Sequence, residues 1–281
     1  MPPRREQVNT TTRGKRKSTI FCAVAWLAFS ASAFPAGLNF AGVPFTPPAT
    51  VSANVPLSDL EKSYVSEGGN AVPSHTVAVL AVPRGFDPKK TWPVLVVFSS
   101  SDYEHQNRDA LKMLYRPPAL AAGWVLIAGD GPQPARQDSS GWRAGHTLAA
   151  LDAFNRSFPG SVKWPMVCVG HSGGAKRASY LAPLLAARGY RLTGIFLNGI
   201  NEERITQGYQ RFKPGHDFLR TPIFLNNGVN DLIATPAHHN EVEKSMRRTG
   251  FNNIRHTTFP GGHEVRPSQL EEALRWFRKG G

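Results

Sequence analysis

From residue 74 onward the chain alternates two kinds of segment. Short, mostly apolar or β-branched runs recur at 74–83 (SHTVAVLAVP), 92–101 (WPVLVVFSSS), 124–130 (WVLIAGD), 165–170 (PMVCVG), 193–199 (TGIFLNG), 222–228 (PIFLNNG) and 253–259 (NIRHTTF). Between them lie longer stretches with helical character, around 109–122, 145–158, 174–189, 236–248 and 268–280. A strand that is apolar on both faces has to be covered on both faces, and strand–helix alternation favours parallel pairing. The pattern predicts an α/β fold: a mostly parallel central sheet with helices on both faces. There is no internal repeat.

The N-terminal part breaks this pattern. Residues 34–73 are rich in proline and small residues, show neither period, and are expected to form a linker or an arm laid over the domain at 74–281. Ahead of them, Arg13, Lys15, Arg16 and Lys17 precede a 15-residue apolar run, TIFCAVAWLAFSASA, that ends in Ala31-Ser32-Ala33. That arrangement predicts a signal peptide at 1–33, cleaved after Ala33, and a secreted or periplasmic product. An uncleaved anchor is the competing reading. The run falls short of the roughly 20 residues a spanning helix needs, so no stable membrane insertion is expected after cleavage.

Cleavage changes the charge and cysteine arguments. Six basic residues leave with Glu6, so the formal charge falls from +13 to +8. No aromatic-interleaved basic run or nucleic-acid motif accompanies the excess, which reads as solvated surface charge, and no nucleic-acid partner is expected. Cys22 leaves as well, and Cys168 alone cannot form an intramolecular disulfide.

The chemistry begins at GHSGG, where an apolar strand meets a helix. A strand that turns into a helix within two or three residues crowds the corner, and small residues two positions before and after relieve it. Gly170 and Gly174 occupy those positions around Ser172, as in a nucleophile elbow. A serine hydroxyl is a weak nucleophile at neutral pH and needs a histidine base oriented by a carboxylate. Two later strand ends carry candidates. FLNNGVNDLIATP places Asp231 in a loop before the helix start Thr235-Pro236, and TTFPGGHEV places His263 after a proline–glycine break. Asp217 and Glu264 are rivals for the acid.

The order Ser172, Asp231, His263 resembles that of α/β-hydrolases, and the stretch 74–281 is similar to secreted esterases of the dienelactone-hydrolase, feruloyl-esterase and polyhydroxyalkanoate-depolymerase type. The resemblance implies a Ser-His-Asp triad that cleaves a carboxylic ester, small or polymer-borne, through an acyl-enzyme. It also implies an oxyanion hole made by Gly173 and by Ser100 or Ser101, although the family usually has His-Gly and a glycine run where this chain has Ser99-Ser100-Ser101-Asp102. A peptidase or acyltransferase on the same triad, or a non-catalytic binding protein on this scaffold, are the alternatives. No cofactor or metal is expected: His238 and His239 are adjacent on a helix and face different ways. His171 is expected to pack beside the nucleophile rather than act as a base. The excursion 200–220, with Arg204, Arg211, Lys213 and Arg220, lies where this fold often carries a lid.

Overall fold

The structure is a computed structural model and describes Met1 and residues 37–100, 105–137 and 139–281. The expected signal segment, Ser101 and Asp102 lie outside the described residues.

Eight strands form one sheet: β3 (Ala49–Val55), β4 (Thr76–Val82), β5 (Val94–Phe98), β6 (Val125–Asp130), β7 (Met166–His171), β8 (Leu192–Asn198), β9 (Ile223–Gly228) and β10 (Ile254–Phe259). A hairpin of β1 (Leu38–Phe40) and β2 (Val43–Phe45) stands apart from it. The spatial order is β10-β9-β8-β7-β5-β6-β4-β3, with β4 antiparallel to both of its neighbours and the remaining pairs parallel.

Alternation along each strand divides the core in two. Val94, Val96, Phe98, Met166, Cys168, Ile195 and Leu197 face helices α4 (Ser140–Ser157) and α5 (Gly173–Ala187). Leu95, Val97, Val167, Val169, Phe196 and Phe224 face Leu111, Tyr115 and α8 (Pro267–Arg278). Both faces are dry, which is why these runs are continuously apolar. The order of the parallel strands brings the carboxyl ends of β5, β7, β8, β9 and β10 to one edge, the crevice side of an open α/β sheet.

Residues 37–73 do more than lie over the domain. β3 pairs with β4 along seven residues, from Ala49 opposite Val82 to Val55 opposite Thr76. Helix α1 (Asp59–Ser66) starts in a capping box, with Ser58 Oγ accepting from Glu61 N and Glu61 Oε2 accepting from Ser58 N. It packs closely on α4 because Gly141 and Gly145 carry no side chain: a Cβ at these positions would lie 2.4 Å from Tyr64 O and 2.5 Å from Glu61 O. Helix α4 begins at Ser140, five residues ahead of the expected start, because Ser139 accepts from the N–H groups of Gly141 and Trp142. The helical stretch expected at 109–122 is divided into α2 (Asn107–Ala110), a π turn at Leu111–Tyr115 and α3 (Arg116–Ala121). Among the described residues no helix is long and apolar enough to cross a membrane.

Candidate active site

Ser172 sits between β7 and α5 with φ 57° and ψ −125°, a left-handed conformation that costs a non-glycine residue about 1–3 kcal/mol. The surrounding backbone imposes it. Ser172 N donates to Asn198 O at 2.9 Å, and its own carbonyl accepts from Ala175 N at 3.0 Å. A Cβ on Gly170 would lie 2.1 Å from Gly174 O, and one on Gly174 would lie 2.4 Å from Phe98 O. Both glycines are therefore required by contact. Gly173 is the first residue of α5, so its N–H has no acceptor within the helix and lies at the positive end of the helix dipole.

The structure brings Asp231 and His263 together. Their loops touch because Gly228 has no side chain: a Cβ there would lie 2.3 Å from both Gly261 O and Gly262 O. Asn230 N donates to Gly261 O at 2.9 Å, and His263 Nδ1 lies 2.7 Å from Asp231 Oδ2. Asp231 Oδ1 accepts from Ile233 N and Ala234 N, both at 2.8 Å. Burial pushes this carboxyl up, but the Ala234 N–H, His263 and the Ile233 N–H outweigh it and hold the group below the usual carboxylate range. A permanent acceptor at Nδ1 makes Nε2 the basic nitrogen of a neutral His263, and Nε2 is buried with no hydrogen-bond partner among the described residues. The rivals are placed elsewhere. Asp217 has a side chain 97% exposed and faces Arg220, while Glu264 pairs with Arg266 at 2.9 Å.

His171 packs as expected, its ring centroid 4.5 Å from that of His263. Gly199, at φ +58°, closes on both rings: a Cβ there would lie 3.1 Å from each Cε1. Asn198 Nδ2 meets His171 Nδ1 at 2.7 Å and donates to Glu264 O at 2.8 Å. Burial, then His263, pushes His171 down to about 4, so it is neutral at ordinary pH.

Around Ser100 the structure adds a network that sequence reasoning missed. Ser99 N donates to Asn107 Oδ1 at 2.9 Å, and Arg143 Nη2 donates to Ser100 O at 3.3 Å and His105 O at 2.8 Å. Arg143 Nη1 reaches Asn107 Oδ1 at 3.1 Å and Asp130 Oδ1 at 3.4 Å, and the carboxylate also accepts from the N–H groups of Asn107 and Arg108 at 2.8 Å. Burial pushes Asp130 up against the opposing pull of Arg143 and those two N–H groups. This clamp fixes the backbone leaving β5, and the Ser100 N–H is bonded to no described residue. An arginine in the first turns of the helix that starts at Ser140, on a stretch of otherwise small and apolar neighbours (Trp142, Ala144, Gly145), was the available signal.

The other candidates resolve simply. His238 Nδ1 accepts from Thr235 N at 3.2 Å as part of the cap of α7 (Pro236–Thr249), while His239 is fully buried and stacks on His256. No group of three His, Cys, Asp or Glu among the described residues is placed to hold a metal ion. In the 200–220 excursion, α6 (Ile205–Phe212) packs on α5, where a Cβ on Gly208 would lie 2.4 Å from Tyr180 O. Arg211 bonds Glu67 at 2.6 Å and Tyr180 Oη at 2.9 Å, Arg204 pairs with Glu202, and Arg220 faces Asp217.

No family model matches the chain, and no curated protein matches it in sequence. Solved structures do match in shape. FphF, a fluorophosphonate-binding serine hydrolase of Staphylococcus aureus, is 13% identical with a TM-score of 0.57, covering 84% of this chain and 99% of its own. A ferulic acid esterase is 12% identical with a TM-score of 0.53, covering 83% and 98%. A putative α/β-hydrolase of Agrobacterium tumefaciens is 14% identical with a TM-score of 0.54, covering 82% and 95%. With the strand order and the strand-to-helix corner at Ser172, these likenesses establish that the chain has the α/β-hydrolase fold.

Proposed function

We propose that the protein is a serine hydrolase that cleaves a carboxylic ester through an acyl-enzyme. The supporting observation is that His263 Nδ1 meets the buried Asp231 at 2.7 Å, between two loops at the sheet edge that carries Ser172 in a strained corner. Ser172 Oγ attacks the acyl carbon as His263 Nε2 takes the hydroxyl proton, and Asp231 stabilises the resulting imidazolium. The N–H groups of Gly173 and Ser100 hold the oxyanion. Collapse of the adduct releases the alcohol, which receives its proton from His263. Water then gives a proton to His263 and attacks the acyl carbon, and Ser172 recovers its proton as the acid departs.

A fluorophosphonate probe tests the assignment, since it phosphonylates an activated serine. Wild-type protein should be labelled at Ser172 and hydrolyse p-nitrophenyl esters. An unlabelled, folded wild type would refute the reading and favour a non-catalytic scaffold. We assign residues 1–33 to a signal peptide for export, and mass spectrometry of the exported product should find a chain that begins near Phe34.

A further inference from the structure

A cleft of about 240 Å³ opens beside the elbow, lined by Phe98, Ala110, Met113 and Leu114 on its apolar walls and by Ser100 and His171. At about 30 Å³ per water this is room for roughly eight waters, or for a chain or ring of several heavy atoms. One lining group carries hydrogen-bonding capacity that the protein does not use, and its chemical sense can be worked out from its neighbours.

Glu264 O can only accept, so the Asn198 atom 2.8 Å from it is the amide nitrogen. The other end of that amide is fixed as an acceptor by Asn226 Nδ2 at 2.7 Å. The same Asn198 nitrogen faces His171 Nδ1 at 2.7 Å, so Nδ1 accepts and the proton of the neutral ring is on Nε2. The ring also lies against the Asn198 main chain, no hydrogen bond joins Nε2 to a described side chain, Nε2 is not among the fully buried unpartnered atoms, and His171 lines the cleft. The cleft is therefore an apolar slot with a neutral N–H donor in its lining. Asp109 in its lining disfavours an anion.

We propose that this cleft selects esters bearing a short apolar chain interrupted by a neutral hydrogen-bond acceptor, an ether, ketone or hydroxyl oxygen, which accepts from His171 Nε2–H. The inference rests on the serine-hydrolase reading. The chain can belong to the acyl or to the alcohol half of the ester, and paired isosteres distinguish the two. One pair is p-nitrophenyl 3-methoxypropanoate against p-nitrophenyl pentanoate. The other is 2-methoxyethyl acetate against butyl acetate.

The readout is the ratio of kcat/KM within a pair, which cancels general damage to the elbow. A neutral hydrogen bond corresponds to a preference of about five-fold, so one pair should show a wild-type ratio about five-fold above that of His171→Phe. Ala110→Leu, which narrows the slot from its apolar wall and keeps His171, should also abolish the preference and guards against a misfolded His171→Phe. Fluorophosphonate labelling of each protein runs alongside. Labelled proteins whose ratios are equal across wild type and variants in both pairs would overturn the proposal and leave the hydrolase reading standing. An unlabelled wild type would overturn both.

Discussion

Three histidines in this fold are held neutral by burial, and that makes the protein acid-labile in a calculable way. Burial pushes His146 and His239 down to about 3 and His171 to about 4; Arg143 adds to the shift at His146, His256 at His239 and His263 at His171. Each folded value lies below the unfolded value of about 6.5, so on acidification the unfolded chain takes up the proton first and stability falls from about pH 6.5 downward. At pH 5 the unfolded state is favoured by a factor of roughly 30 per histidine, or about 2 kcal/mol each and about 6 kcal/mol for the three. A domain of this kind has about 5–15 kcal/mol in total, so this loss removes a large share of its stability by pH 5. His239→Phe isolates one share, because both ring nitrogens of His239 are buried without a hydrogen-bond partner and the substitution breaks no bond. Urea unfolding at pH 7.5 and pH 5, followed by tryptophan fluorescence, should show the variant losing about 2 kcal/mol less than wild type over that interval. Comparing the two proteins cancels Glu61, whose raised carboxyl acts with the opposite sign. If variant and wild type lose equal stability between these pH values, His239 is not held neutral and the argument fails.

Other substitutions test the site directly. Ser172→Ala should remove at least about three decades of esterase activity from a folded protein, and ordinary turnover by that variant would dismiss the triad. Asp231→Asn should cost about four decades in kcat, while Asp217→Asn and Glu264→Gln stay within about one, measured with the same p-nitrophenyl ester. Arg143→Met leaves Asp130 buried without its cation and should cost about 3–5 kcal/mol by urea unfolding, with kcat falling more than KM rises because the backbone at Ser100 loses its fastening. Gly170→Ala should fail to yield folded protein in circular dichroism, since its methyl would lie 2.1 Å from a main-chain oxygen.

The inner parallel strands were legible because both of their faces are dry, which leaves runs such as VLVVF and MVCVG with no polar position to confuse the period. The candidate triad was legible because each member stands just past a predicted strand, although β10 ahead of His263 is an edge strand of mixed burial. Less of the N-terminal region could be read. β3 is an edge strand of sequence ATVSANV with mixed burial, so its pairing is set by β4 rather than by its own side chains. The capping box at Ser58 and Glu61 was visible in principle, but α1 is held by the glycines of a helix more than 70 residues away. The Asp130–Arg143–Asn107 clamp joins three elements far apart in sequence, and no local spacing encodes it. A linker or an arm was expected at 34–73 because the stretch is rich in proline and small residues and shows no period; at 49–55 the sheet uses backbone pairing instead.

Cys168 lies on β7, fully buried in the middle of the sheet, and burial pushes its thiol far up, so almost no thiolate exists in the folded protein. Its side chain faces α4 and α5, so alkylating reagents can reach this sulfur only when that helical layer lifts from the sheet. The rate at which iodoacetamide modifies Cys168, read by peptide mass, is therefore a built-in clock for the opening of that helical layer over the sheet centre. The same inertness means that thiol reagents should leave any hydrolase activity of the folded protein untouched, so inhibition by a serine-directed probe can be assigned without blocking Cys168 first.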